Sequence, residues 1–399
     1  MAMINRRELF QRGLQVTGGV ALLGGLPALL AACGSDKKTA STSPATTAAS
    51  ATTAEAATNV AGSTAVTTAG STAGTTAGSS APAADLGTLD YRLSWIKNSE
   101  FAGAYMADAN GYYKAAGFSS VNLIAGGPSA QPAEVDVSSG KALVGISAPD
   151  TVAAAIAQGG KLTIIGAQYQ KNPFAVMSLA SNPIKTPQDM YGKKFGLQSA
   201  NQTVWDAFVA ASGIDDSKIV KFPAQFDPTP LVNKECDCWF SFITNEPNLL
   251  KEQNIDTFSF LLADFGYPLV SEVLVVAADS ITSKADELKA FLKGEIMGWH
   301  DVYKDPAKAA DLTVNVYGKD LGLTADEQQL EVRSENELIW TDDTKANGIF
   351  TITDALIAKN VETLGKAGLT ITAEALFDMS LLEAVYSENP ELKTPPTAG

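Results

Sequence analysis

The chain has 399 residues, a formal net charge of −15 and one histidine; residues 1–32 hold three arginines and one glutamate, so the remainder carries about −17. This acidity argues against nucleic acid or an anionic membrane surface as a binding partner. Only Arg92 and Arg333 occur after residue 32, which disfavours anionic ligands because proteins usually clamp them with arginine, although lysines and helix N-termini could substitute.

Residues 1–32 have the pattern of a secretory signal peptide, with Arg6 and Arg7 before a long uncharged stretch. The paired arginines match the twin-arginine export pattern. The run Leu30-Ala31-Ala32-Cys33 resembles the bacterial lipobox, in which Cys33 is acylated after cleavage. A transmembrane helix is the alternative, but the glycines and the proline in this stretch weaken it. We expect an extracytoplasmic protein, lipid-anchored to the outer face of the cytoplasmic membrane.

Residues 33–88 are predicted to form a linker between the lipid anchor and the folded part. The part from Thr39 to Ala84 is almost wholly alanine, threonine, serine and glycine, a composition that buries too little apolar area to offset the entropy of ordering. We expect a flexible linker with a reach of roughly 35–40 Å.

Residues for catalysis or metal binding are scarce in this sequence. His300 lies in a helical stretch beside Trp299, where packing explains it. Cys236 and Cys238 are two apart, which suits neither a zinc site nor a redox motif and leaves ordinary thiols or a local disulfide. We therefore predict no enzyme, no metal and no cofactor.

From residue 89 onward, short apolar runs alternate with helical patterns, which predicts an α/β fold with mostly parallel sheets. The folded part is longer than a single hydrophobic core usually supports, which indicates two lobes. We predict a first lobe at 89–182, a second at 183–268, and a return to the first lobe with C-terminal helices at 269–399. The predicted strands are 91–95, 121–124, 142–146, 162–168, 194–197, 219–222, 236–242 and 274–277; the main helices are 101–109, 132–139, 150–158, 202–212, 283–304, 306–316, 324–335, 353–367 and 373–376.

Several short motifs, in their order and spacing, resemble the thiamine-pyrimidine-precursor binding family, whose members are solute-binding proteins of ABC importers related to the yeast thiamine-pyrimidine synthases. The resemblance extends from Leu89 to Glu383. The motifs are Trp95–Tyr105, Gly111–Tyr113, Ala116–Phe118, Pro173–Ser178, Tyr191–Gly196, Thr244–Pro247, Asp264–Pro268, Gly298-Trp299 and Asp305-Pro306.

The resemblance implies a two-lobed periplasmic-binding-protein fold of type II, which closes on a ligand in the cleft between the lobes. It implies a monomer that delivers its ligand to an ABC permease and ATPase. Two alternatives remain: a sensor that reports the closed state to a membrane receptor, and an enzyme like the yeast synthases. The enzyme is disfavoured because the only histidine lies outside the expected cleft.

Ligands of open α/β sheets bind beyond the carboxyl ends of strands, and two lobe-one strand ends carry suitable side chains. The first offers Trp95, Asn98, Glu100 and Phe101, with core packing and a first-turn helix acid as the alternative. The second offers Gln168 and Tyr169, followed by Phe174, with ordinary packing as the alternative.

In lobe two, Asn245-Glu246 follows a strand and precedes Pro247, so a carboxylate and an amide would face an amino-heterocycle. Helix capping by Asn245 is the alternative. The other candidates are Gln198 and Asn201 at a strand end, Trp205, and the stacking faces of Phe265 and Tyr267. Together they predict a heteroaromatic ligand, such as a pyrimidine thiamine precursor or a flavin-type ring; a sulfonate or nitrate is the alternative.

Overall fold

The structure, a computed structural model, describes residues 85–397. The predicted signal segment, the lipidation residue Cys33 and most of the predicted linker lie outside the described residues. Within these residues, ten strands form two five-stranded mixed sheets with helices around them, which confirms the α/β prediction. The prediction of mostly parallel sheets is wrong, because four of the eight strand pairings are antiparallel. The strands are β1 Thr88–Arg92, β2 Ser120–Ile124, β3 Val144–Ser147, β4 Leu162–Tyr169, β5 Phe174–Leu179, β6 Lys194–Gln198, β7 Val220–Ala224, β8 Cys238–Phe242, β9 Thr257–Leu261 and β10 Ser271–Ala277.

The described residues also form fifteen α-helical segments and several short 3-10 turns; seven of the helices lie between strands and eight follow β10. The helices are α1 Ala102–Ala109, α2 Tyr112–Ala115, α3 Ala133–Ser138, α4 Pro149–Ala157, α5 Gln202–Ser212, α6 Thr229–Val232, α7 Glu246–Glu252, α8 Ser280–Ser283, α9 Ala285–Lys304, α10 Pro306–Leu312, α11 Ala325–Ile339, α12 Asp342–Asn347, α13 Asp354–Lys366, α14 Ala373–Leu376 and α15 Ser380–Glu388. The predicted helix 306–316 ends its α-helical part at Leu312 and continues as a π-helical turn, Thr313–Tyr317.

The two sheets share one topology. Their strand orders are β2-β1-β3-β10-β4 and β7-β6-β8-β5-β9. In the first sheet β10 runs antiparallel to both neighbours, and in the second sheet β5 does the same. Each of these antiparallel strands is the first one that the chain forms after it leaves the other sheet. The chain therefore crosses between the sheets twice, once before β5 and once before β10.

The strands β5 and β9 were not among the predicted strands, yet they pair with each other in the second sheet. The chain enters the second sheet at Phe174, before the predicted boundary at residue 183. The first predicted strand is shifted as well, because β1 ends at Arg92 instead of continuing to Trp95. Residues 93–95 leave the sheet and bend over the site described below.

The long helix α9 shows why this sequence packs as it does. Its buried apolar residues recur three or four positions apart and form one stripe that faces the first core, the buried cluster that includes Tyr91, Tyr105 and Ile165. The second core is the cluster that includes Val176, Phe208 and Phe240. Where α9 crosses α1, glycines allow the two backbones to touch. A Cβ at Gly298 would lie 2.1 Å from the Gly103 carbonyl oxygen, and a Cβ at Gly103 would lie 2.2 Å from Trp299 Nε1.

We expect Gly298→Ala to lower the free energy of unfolding by about 1–3 kcal/mol, because the added methyl overpacks this helix crossing. Gly365→Ala is the matched control, since Gly365 is also helical but has open space where its Cβ would lie. That control should gain about 0.5–1 kcal/mol from its better helix propensity. Urea unfolding of both variants checks the prediction, and equal effects would contradict it.

Among residues 85–397, none of the helices combines the length and the hydrophobicity needed to cross a membrane.

Candidate ligand-binding site

A cavity of about 210 Å³ is lined by residues from both sheets. The first sheet contributes residues just beyond β1, at the carboxyl end of β3 and at the amino end of β10. The second contributes the amino end of β5, the carboxyl end of β8 and the start of the helical segment after β6. Because β5 and β10 run antiparallel to their neighbours, their amino ends reach the same sheet edges as the carboxyl ends of the parallel strands. Topology therefore brings six strand ends to one cavity.

Aromatic side chains form part of the cavity wall. Trp95 and Phe174 are buried at 9% and 5% exposure, and Phe242 is half-buried. Phe174 and Phe242 meet edge to face with ring centroids 4.5 Å apart. These rings offer faces and edges suited to packing against a planar ligand.

The loop after β2 closes one side of the cavity and depends on a glycine. Gly126 donates its N–H to the Trp95 carbonyl oxygen at 2.7 Å. A Cβ at Gly126 would lie 2.2 Å from the Ser94 carbonyl oxygen, so only glycine permits this approach. The neighbouring residues Gly127 and Gln131 line the cavity.

Arg92 braces this same loop from behind and is not a lining residue. Its guanidinium donates to the carbonyl oxygens of Ala125 and Gln131, the latter at 2.8 Å, and its Nε lies 3.0 Å from Asp136 Oδ2. Only 4% of Arg92 is exposed. No arginine or lysine is among the residues that line the cavity. Arg92 therefore stabilises the loop that forms the cavity wall.

Four glutamates line the cavity instead, and two of them share one serine. Ser94 Oγ lies 3.2 Å from Glu100 Oε1 and 2.9 Å from Glu272 Oε2. Burial raises the pKa of Glu100 to about 7. Burial, and secondarily the charge of Glu100, raises the pKa of Glu272. Glu134, whose carboxylate accepts from the Ser147 hydroxyl, and Glu246 complete the set.

Asn245 and Glu246 lie where β8 turns into α7. Glu246 Oε2 accepts a hydrogen bond from the Phe242 backbone N–H at 2.9 Å, and burial raises the pKa of Glu246 to about 8. Pro247 lies in the first turn of α7, but the Asn245 side chain makes no capping hydrogen bond to that helix. Asn245 therefore lines the cavity without acting as the side-chain cap that was the alternative.

Six of the fourteen predicted ligand residues line the cavity. The six are Trp95, Glu100, Phe174, Asn201, Asn245 and Glu246. The other eight do not line it: Asn98, Phe101, Gln168, Tyr169, Gln198, Trp205, Phe265 and Tyr267.

The predicted polar residues that do not line the cavity form hydrogen bonds with other groups of the protein. Asn98 donates to Glu331 at 2.6 Å. Gln168 and Gln198 donate to the backbone carbonyl oxygens of Glu100 and Phe240. Tyr267 donates to Asp150. In each case a buried side chain satisfies another buried group, a role that sequence position does not distinguish from ligand contact.

The predicted aromatic residues that miss the cavity belong to the cores. Phe101 and Tyr169 are buried in the first core. Trp205 is fully buried in the second core, where its indole N–H donates to Asp216 at 2.7 Å, and Phe265 packs against that core. Their rings therefore face the packed interior.

Sequence reasoning missed the lining residues Ser94, Glu134, Ser147, Ser241 and Glu272. Glu272 is the clearest omission, since it lies at the amino end of β10, whereas ligands of open α/β sheets are expected beyond carboxyl ends. Its φ of 49° lies in the left-handed region, which non-glycine residues rarely adopt. Such local strain occurs preferentially at functional sites.

Among residues 85–397, neither His300 nor the two cysteines, Cys236 and Cys238, lie in the cavity lining. Cys236 and Cys238 are free and buried, and burial raises the pKa of both thiols, that of Cys236 to about 12. Burial lowers the pKa of His300 to about 4. No group of three His, Cys, Asp or Glu residues within 85–397 is placed to hold a metal ion.

Comparison with known proteins agrees with this architecture. The chain is 25% identical over 287 residues to the riboflavin-binding protein RibY of Chloroflexus aurantiacus, covering 69% of this chain and 80% of the relative. A solved protein of Bordetella bronchiseptica superposes with a TM-score of 0.60 at 15% identity, covering 76% of this chain and 98% of that one. The periplasmic aliphatic sulphonate binding protein SsuA of Escherichia coli gives a TM-score of 0.53 at 14% identity, over 74% of this chain and 91% of that one.

These similarities confirm the periplasmic-binding-protein fold. The family model described as NMT1/THI5 like matches residues 98–309, more than half of the sequence and both sheets. The chain belongs to the NMT1/THI5-like family.

Proposed function

We propose that this chain is the substrate-binding component of an ABC importer and that its cavity captures a small heteroaromatic solute. The fold, the family and the name of the riboflavin-binding relative support this assignment. The ligand would be a pyrimidine of the thiamine-precursor type or a flavin-like ring, delivered to a permease and its ATPase. Trp95, Glu100, Phe174, Asn245 and Glu246 would contact it, together with Glu272.

The proposed ligand class rests on one observation: the cavity lining combines aromatic rings and carboxyl groups and contains no basic side chain. A planar heterocycle packs against the rings, while its N–H groups donate to carboxylate oxygens. A sulfonate or a nitrate would meet four acidic side chains and no arginine, the reverse of what anion recognition requires.

A thermal-shift series on the purified protein tests this function. The probes are 4-amino-5-hydroxymethyl-2-methylpyrimidine, riboflavin, ethanesulfonate and nitrate. A ligand that binds only the folded state raises the melting temperature with concentration. We expect at least one of the two heterocycles to do so and the two anions to have no effect. A response to the anions alone would overturn the proposed ligand class.

At pH 9, above the pKa of about 8 of Glu246, Glu246→Gln is expected to weaken binding of the stabilising heterocycle roughly 10- to 100-fold, because an amide then replaces a charge-assisted acceptor with a neutral one. The glutamine oxygen can still accept from the Phe242 N–H, which protects the fold. Isothermal titration calorimetry measures the change, with Glu362→Gln, an exposed position on α13, as the control. If the two variants bind the heterocycle with equal affinity, Glu246 does not contact the ligand.

We further propose that the mature protein is anchored by lipid on Cys33, and the lipobox-like run before that residue supports this. A single tether would keep the binder near its permease. Cys33→Ser should abolish acylation and leave the protein unanchored or unprocessed. Metabolic labelling with a fatty acid, followed by membrane fractionation, checks this; labelling of the serine variant would contradict the assignment.

A further inference from the structure

The cavity lining contains acidic side chains without basic ones, and the proposed function does not explain this excess of acidic groups. Its four glutamates, Glu100, Glu134, Glu246 and Glu272, come from four separate segments and are each at most 4% exposed. Arg92, behind the cavity wall, acts electrostatically on Glu134, but no lysine or arginine lines the cavity itself. Buried acidic groups normally have a paired cation or an equivalent hydrogen-bond donor.

The groups around Glu100 do not supply that cation. The serine between Glu100 and Glu272 has one hydroxyl proton, so it can donate to only one of the two carboxyl groups at a time. The titratable groups that act electrostatically on Glu100 or Glu272 are acids and phenols: Tyr91, Tyr105, Tyr169, Glu246, Glu331 and Glu335.

Two buried polar atoms of the cavity lining are without a hydrogen-bond partner. Glu134 uses one oxygen to accept from Ser147, but its Oε2 has no partner. Ser241, 2% exposed on the opposite sheet, has an unpartnered Oγ. Unpaired buried polar atoms are rare in folded proteins and call for a specific partner. An unsatisfied carboxylate oxygen calls for a donor, and both atoms belong to residues that line the same cavity.

From this we infer that the ligand binds as a cation, a protonated amino-heterocycle or amidine-like group whose N–H donors lie against the Glu100–Glu272 pair and Glu134. This inference rests on the proposed function, since it assigns the charge of the ligand that the importer component captures. A cation would supply both the missing charge and the missing donors. Its ring would lie toward Trp95 and Phe174 in the same lining.

Binding of a cation should release protons. In the free protein, burial raises the pKa of Glu100 to about 7 and that of Glu246 to about 8, so these groups are partly protonated near neutral pH. A neighbouring cation favours the ionised carboxylates. Calorimetric titration at pH 7 in buffers of different ionisation enthalpy should therefore show proton release, which a neutral ligand of the same shape would not cause.

A charge series on one ring tests the inference: benzamidine, benzamide and benzenesulfonate, titrated by calorimetry into the full-length wild-type protein at pH 7. We expect benzamidine to bind at least about tenfold more tightly than benzamide, and benzenesulfonate not to bind. Benzamide equal to or tighter than benzamidine, or no binding of benzamidine, overturns the inference.

Single substitutions of glutamates identify which side chains recognise the charge of the ligand. Glu134→Gln and Glu272→Gln should each reduce the preference for benzamidine over benzamide, whereas the exposed Glu362→Gln should leave it unchanged. An unchanged preference in both cavity variants overturns the inference. The outcome is separable from the proposed function, because a protein stabilised by riboflavin without any preference for benzamidine would still be a heteroaromatic binder, but not a cation binder.

Discussion

Replacing Arg92 with alanine is expected to lower the free energy of unfolding by about 3–5 kcal/mol, the usual cost of removing one partner of a buried ion pair. The substitution removes the guanidinium 3.0 Å from Asp136, which then keeps only the exposed Lys141 at 3.6 Å, and it removes the donors to the Ala125 and Gln131 carbonyl oxygens. Because residues of this loop line the cavity, ligand affinity should fall together with stability.

Arg333→Ala is a matched control, since Arg333 is exposed on α11 and a surface substitution of this kind changes stability by about 0.5 kcal/mol or less. Urea unfolding at pH 7 compares the two variants. A loss below about 1 kcal/mol for Arg92→Ala would contradict its role as the brace of the cavity wall.

Stability is expected to fall as the pH rises from 5 to 9. Glu295 on α9 is 1% exposed, accepts from the Tyr113 hydroxyl and faces Tyr91; burial raises its pKa from 4.5 to about 8. Between these two values the folded state holds a proton that the unfolded state has lost, so folding is penalised progressively as pH increases. One such group costs on the order of 4 kcal/mol once the pH exceeds its folded pKa.

The raised pKa values of Glu100 and Glu246 act in the same direction. Glu295→Gln removes one of these groups, so the variant should lose less stability than the wild type between pH 5 and pH 9. Glu337→Gln, at an exposed position, should reproduce the wild-type slope. Urea unfolding at pH 5, 7 and 9 gives the comparison. A wild-type stability that is flat or rises over this range would contradict the assignment of buried, protonated glutamates.

The fold was more predictable from the sequence than the site. Periodicity located most elements, including α5 at Gln202–Ser212, because amphipathic helices and buried strands leave a pattern in the chain. The prediction missed the strands β5 and β9, and it placed the end of β1 at Trp95 instead of Arg92.

The rule that ligands bind beyond the carboxyl ends of strands found only part of the site. Glu100 and Glu246 satisfy that rule, whereas Glu272 lies at the amino end of β10, whose direction becomes known only once the sheet is assembled. Gln168 and Gln198 also satisfy the rule but donate to backbone carbonyl oxygens. Local sequence therefore identifies a polar residue near a strand end, while the three-dimensional hydrogen-bond network determines whether it is available to a ligand.

The central claim, that one ligand is held by groups from both sheets, is tested most directly by hydrogen exchange with and without a saturating ligand. The ligand is whichever of 4-amino-5-hydroxymethyl-2-methylpyrimidine and riboflavin raises the melting temperature. Slower exchange should occur together in residues 94–101 and 271–273, on the side of the first sheet, and in residues 241–246, on the side of the second. Protection confined to one sheet, or no protection in these segments, would contradict the claim.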